Sequence, residues 1–112
     1  MKQTVMLKKN YEFKIVLTKG RFYIGKQLKI VILNGKNFKT LGIAVSTKNG
    51  KAFQRNKAKR LIREAYKNLE EKIINGYSIV VLLKKDIDIN DMKYIDIINE
   101  MENTFKKANI IS

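Results

Sequence analysis

The segment Tyr77-Ser78-Ile79-Val80-Val81-Leu82-Leu83-Lys84 is a nearly unbroken apolar run, and no other stretch constrains the fold as much. A strand with one wet face alternates apolar and polar residues, whereas a run without alternation must be covered on both faces. A helical pattern over 53–75, ended by Gly76, precedes it. Before that lies a strand pattern over 40–47, closed by the turn Lys48-Asn49-Gly50. Strand, long helix and strand make a βαβ unit. Further upstream, 28–33 reads as a strand bounded by Asn34-Gly35, a pair that favours a tight turn, and 21–24 as a short strand broken at Gly25. Hairpin-linked strands therefore precede the unit. Asn10 can cap a short helix over 11–19, with Phe13, Val16 and Leu17 on one side and Gly20 at its end. After a polar link over 85–90, the spacing of Tyr94, Ile98, Met101, Phe105 and Ala108 predicts a last amphipathic helix. The architecture expected is α/β, a two-layer sandwich in one domain over 1–112, with residues 1–9 a loosely ordered basic lead.

Charge narrows the function. The chain carries 24 Lys and Arg against 10 Asp and Glu, a net of +14, more than solubility requires, so a polyanionic partner is expected. Residues 1–63 hold 17 Lys and Arg and one acid, Glu12, for +16, while residues 64–112 hold 7 against 9, for −2. The polyanion should meet the first half. Of the 24 basic residues 20 are Lys, so lysine reflects a compositional habit, and the four arginines (Arg21, Arg55, Arg60 and Arg63) are more telling. The absence of Cys and His removes thiol nucleophiles, thiolate metal sites and the commonest general base. No stretch nears the ~20 apolar residues of a membrane span, and the opening MKQTVMLKKN lacks a signal-peptide core, so a cytoplasmic location is expected.

The segment 51–63 has six cations and no anion. At 100° per residue, Ala58, Leu61, Ile62, Ala65 and Leu69 share one stripe, which must pack on the sheet. Asn56, Lys59, Arg60, Arg63 and Lys67 gather on a second face. Lys59 and Arg63 are like charges at i,i+4, a spacing that costs ~0.2–0.5 kcal/mol in a solvated helix and that a phosphate backbone would turn favourable. Arginine grips phosphate with a planar fork, and Asn56 can donate to phosphate or sugar without adding charge.

The string Arg55-Asn56-Lys57-Ala58-Lys59-Arg60-Leu61-Ile62-Arg63-Glu64 resembles the signature helix of the bacterial ribonuclease P protein component, which runs Arg-Asn-Arg, any residue, Lys-Arg, two apolar residues, Arg. Lys57 stands where the family usually has Arg. Leu7-Lys8-Lys9-Asn10-Tyr11-Glu12-Phe13 is similar to the family's opening, and Gly42-Ile43-Ala44-Val45-Ser46-Thr47-Lys48 to the strand that enters the signature helix. The resemblance implies a four-stranded sheet in αβββαβα order with a left-handed crossover, although the right-handed one is preferred in ~98% of such units. It also implies a protein subunit that binds a catalytic RNA through Arg55, Asn56, Lys57, Lys59, Arg60 and Arg63, a face that Lys67 extends. A cleft beside the first helix would hold the single-stranded 5′ leader of precursor tRNA. Phe13 matches the cleft aromatic; Leu17 and Val31 stand where aromatics are common, so stacking would be weaker or moved to Phe22 or Tyr23. The implied reaction is hydrolysis of one phosphodiester bond by Mg²⁺-bound hydroxide, with RNA oxygens as the main metal ligands and no protein side chain in bond breaking.

Other classes remain open on sequence grounds. A protein-only nuclease could use Asp86, Asp88 and Asp91 as Mg²⁺ ligands, although a polar linker and a helix N-terminus account for the same residues. A ribosomal or general RNA-binding protein without a catalytic partner is the main alternative. DNA reading by a helix-turn-helix is disfavoured because strands and a turn precede the basic helix, and membrane binding because that helix needs its apolar side for the core.

Overall fold

The computed structural model describes residues 3–35 and 37–111. Strands β1 (Thr4–Met6), β2 (Arg21–Ile24), β3 (Leu28–Asn34), β4 (Lys39–Ala44) and β5 (Tyr77–Leu83) form one sheet in the order β1-β4-β5-β3-β2. Helix α1 (Asn10–Lys19) lies on one face; α2 (Ala52–Leu69) and α3 (Tyr94–Lys107) cover the other. The apolar run is the central strand. It pairs parallel to β4 (Leu41 with Ile79) and antiparallel to β3 over seven residues, from Leu28 with Leu83 to Asn34 with Tyr77. Ile79 and Val81 enter the main core with Ile62, Tyr66, Met101 and Phe105, while Val80 joins Val16 and Val31 under α1.

This central placement corrects one expectation. β2 and β3 form a hairpin, but β3 and β4, consecutive in sequence, are not partners, and Asn34-Gly35 closes no hairpin. β5 lies between them because, with no charged residue in its seven, it is apolar on both faces and gains most from a central position.

A second correction concerns the lead. Residues 1 and 2 lie outside the described residues, but Thr4–Met6 is a strand, parallel to β4 with Val5 opposite Thr40, so the sheet has five strands rather than four. The cause is a polar cluster that local sequence does not reveal. The Thr4 hydroxyl is 2.7 Å from the Tyr66 hydroxyl and donates to the buried Glu70 carboxylate, which also accepts from the Gln3 backbone N–H. Buried Lys39 donates to the Glu70 carbonyl at 2.6 Å and to the Gln3 side-chain oxygen at 2.7 Å. Desolvated polar groups cost ~1–3 kcal/mol each when unpaired, so this cluster holds the lead in one place.

Element ends also shift. Lys9, not Asn10, is the cap position of α1, and Glu12 accepts the backbone N–H of Lys9 at 2.9 Å. α2 ends at Leu69, short of 75; the chain tightens into a 3-10 turn, Glu70–Lys72, and Ile73 then bridges Ile111. The buried stripe of α3 is Ile97, Met101, Thr104 and Phe105, with Tyr94, Ile98 and Ala108 at its margins.

Burial pushes the Tyr66 phenol up to about 12; the hydrogen bond to Thr4 opposes the shift and nearby Glu70 adds to it. Because the folded state keeps Tyr66 neutral while the unfolded chain ionises near 10, its stabilising contribution is complete below pH 10 and is lost between pH 10 and 12. Urea midpoints at pH 9 and 11.5 should fall further for the wild type than for Tyr66→Phe, the gap approaching ~2 kcal/mol.

Candidate nucleic-acid interface

The entry to α2 is built from backbone-directed side chains. The Ser46 hydroxyl accepts the Lys48 N–H at 3.1 Å, a 3-10 turn spans Thr47–Asn49, and Gly50 follows at φ +150°. A side chain at Gly50 would be strained, and its Cβ would stand 2.5 Å from the Gln54 side-chain oxygen. That oxygen accepts the Lys51 N–H at 2.9 Å and closes the first turn. Asn49 donates from Nδ2 to the carbonyls of Lys84 and Ile87, both at 3.0 Å. The start of the basic helix is thereby tied to the exit of the central strand.

Along α2, Ala58, Ile62, Ala65, Tyr66 and Leu69 are buried. Tyr66 replaces Leu61 in the expected stripe, Leu61 being only half-buried at its edge. Fully burying Ile62 and Leu69 alone is worth ~3–6 kcal/mol, several times the cost of the like charges opposite. The helix can therefore carry an unbalanced outer face. Asn56, Arg60, Arg63 and Lys67 are all exposed and fall within about 60° of one another around the axis. Arg55 and Lys59, half-buried, flank this ridge on its core side, and Arg55 donates from Nη1 to the Gly50 carbonyl at 3.0 Å, so one corner of its fork braces the turn. Lys57, exposed, lies on the opposite shoulder near Phe53, another exposed side chain. None of these cations forms an ion pair with a described carboxylate, not even with Glu64, four residues after Arg60.

The second surface lies on the α1 face of the sheet. Phe13 and Leu17, half-buried, pack beside Val16 over Val31 and Val80. Gly42 makes this possible: a Cβ there would stand 2.6 Å from Phe13 Cε1. Strand alternation divides the remaining aromatics. Phe22 pairs with Val31 on the α1 face and is 47% exposed, whereas Tyr23 pairs with Ile30, packs against the main core and lies near the Arg21 guanidinium on the opposite face. Tyr23 is therefore not a cleft residue. Val31, fully buried, is the floor and offers no stacking surface. One row along the sheet, Lys29, Ala44, Leu82, Lys84 and Lys85 border a recess of about 240 Å³. The reading from sequence missed these cations, although alternation in β3 already sets Lys29 on the face of Val31.

A family model described as Ribonuclease P matches residues 1–109. The chain belongs to the ribonuclease P protein family. It is 39% identical over 110 residues to the ribonuclease P protein component of Clostridioides difficile, covering 96% of this chain and 95% of that protein. The solved structure of the Staphylococcus aureus RNase P protein superposes with a TM-score of 0.82 at 32% identity, covering 96% of this chain and 97% of that one. The Thermotoga maritima RNase P protein, 24% identical, shares the fold at a TM-score of 0.81, covering 92% of this chain and 96% of that one.

Of the carboxylates considered for a protein-only nuclease, Asp88 has a structural duty. Asp88 accepts the Asn90 N–H at 2.9 Å and caps the turn Ile89–Asp91, whose Ile89 is fully buried. Among the described residues no three or more His, Cys, Asp or Glu are grouped so as to hold a metal ion. No helix among them is long and apolar enough to cross a membrane.

Gly42→Ala should displace the Phe13 ring and cost ~1–3 kcal/mol, as overpacking does. Phe13→Leu in the same chain should recover most of that loss. Urea midpoints of the two single variants and the double variant check the coupling.

Proposed function

We propose that this chain is the protein subunit of a ribonuclease P ribonucleoprotein, an endonuclease that removes the 5′ leader of precursor tRNA. The observation that carries the reading is the α2 ridge: Asn56, Arg60, Arg63 and Lys67 exposed together, without carboxylate partners among the described residues, on a helix whose other side is locked into the core. Such a ridge is electrostatically unfavourable alone and is relieved by a phosphate backbone. Membership of the ribonuclease P family supports the catalytic RNA as the bearer of that backbone.

Arg60 and Arg63 supply planar forks for phosphate oxygens, Asn56 an uncharged donor, and Lys59, Lys67 and Lys57 neutralising charge. Arg55 acts with the part of its guanidinium that Gly50 leaves free. The leader lies along the α1 face, its bases against Phe13, Leu17 and the exposed ring of Phe22, its phosphates near Lys29, Lys84 and Lys85. In this reading the Mg²⁺ demand of the reaction rests with the RNA, and no protein side chain takes part in bond breaking. The protein lowers that demand by neutralising phosphate and raises affinity for leader-bearing substrate.

Reconstitution with a bacterial ribonuclease P RNA at low Mg²⁺ tests the reading: added protein should restore cleavage of precursor tRNA. Unchanged processing would instead favour a general RNA-binding protein, and cleavage by the protein alone a protein nuclease. Arg60→Ala and Arg63→Ala should each weaken assembly with the RNA about tenfold and reduce the slope of log K against log salt by ~1, measured by filter binding. Phe13→Ala should weaken leader-bearing tRNA more than leaderless tRNA; equal losses would count against the cleft.

A further inference from the structure

α1 has a second flank, which neither the ridge nor the leader cleft uses. Tyr11 and Ile15 lie about 160° around the helix from Phe13 and face the end of the sheet where β1 and β4 begin. There, Val5, Tyr11, Ile15, Phe38 and Thr40 border a recess of about 250 Å³. Four of these are apolar or aromatic yet open to solvent: Tyr11 is 60% exposed, Val5 55%, Ile15 46% and Phe38 44%. Single exposed apolar residues are ordinary, but four around one recess mark a binding surface. Thr40, only 3% exposed, adds a hydroxyl that has no hydrogen-bond partner among the described residues.

We infer that this recess takes an unpaired base of single-stranded RNA, as a second site separate from the leader cleft. Charge selects the occupant. The Lys9 ammonium stands 5.9 Å from the centre of the Tyr11 ring, and Lys8 and Lys14 are exposed on the same helix or its lead. Aromatic platforms beside cations are how single strands are held, rings taking bases and lysines taking phosphates. A second copy of the chain carries the same net +14, so long-range repulsion opposes its approach. The carboxylate of Glu12 also lines the recess, and its Oε1 caps α1 through the N–H groups of Lys8 and Lys9. The volume suits one base rather than a duplex.

The inference shares with the proposed function the premise that this protein meets RNA, and the experiment separates the two. Isotope-labelled full-length protein is titrated with hexauridylate RNA while amide resonances are followed. Saturable shifts are expected at Val5, Ile15, Phe38 and Thr40 in addition to those around Phe13 and Ala44. The Tyr11→Ala, Phe38→Ala double variant should bind the oligonucleotide about tenfold more weakly with an unchanged salt slope, because stacking and not charge is removed. Shifts confined to the Phe13 flank would overturn the inference and leave the leader cleft standing; silence on both flanks would overturn both. Shifts at the recess that grow with protein concentration without RNA would assign it to a second copy and overturn the inference as well.

Discussion

Burial of β5 on both faces is the constraint on which the rest of the structure depends. Ile79 and Val81 need cover on one side and Val80 on the other, so helices must lie on both faces of the sheet. The side of Ile79 and Val81 takes the larger cover, α2 and α3 with Ile110 and Ile111 beside them, and becomes the main core. The side of Val80 is covered by the single short helix α1, which leaves much of that face open. The cleft is therefore a consequence of unequal cover: ten residues of helix cannot roof a five-stranded sheet.

The same constraint explains why a charged ridge can persist on α2. With Ala58, Ile62, Ala65, Tyr66 and Leu69 sealed against the sheet, the helix gains more from its inner stripe than it loses to repulsion along its outer one. Polar anchors then hold these surfaces in position. Asn49 ties the ridge's first turn to the exit of β5. Glu100 on α3 accepts backbone N–H groups of Lys26, Gln27 and Leu28, the nearest at 2.7 Å, and so fixes the hairpin that carries Phe22. Both are single polar side chains gripping backbone, an arrangement that orients a loop more sharply than apolar packing can.

Much of this was legible in the chain itself. Among the described residues, periodicity located the three α-helices and four of the five strands, because apolar spacing records which side of an element is wet. The ridge was legible for the same reason, together with the rarity of arginine in a lysine-rich chain. Elements made by distant partners were not. β1 has only three residues and no marked pattern; its order comes from Lys39, Tyr66 and Glu70, between 31 and 67 residues away along the chain from the groups they bind. The assignment of Tyr23 to the cleft failed although alternation could have separated it from Phe22, since the register with β3 was needed to say which of the two faces α1. Arg55 looked equivalent to Arg60 in sequence, and only the path of the chain at Gly50 shows that part of its fork is used internally.

By itself the sequence determined the inventory: a central strand apolar on both sides, an amphipathic helix with an unbalanced cationic face, a +16 first half, and a signature string specific enough to name a family. Tertiary structure decided the neighbours. Local pattern measures how much of a residue is wet but not what covers it, so the insertion of β5 between β3 and β4, the fifth strand and the two flanks of α1 followed only once the chain closed on itself. Strand order is settled by competition among long-range pairings, and that competition is a property of the whole chain rather than of any segment.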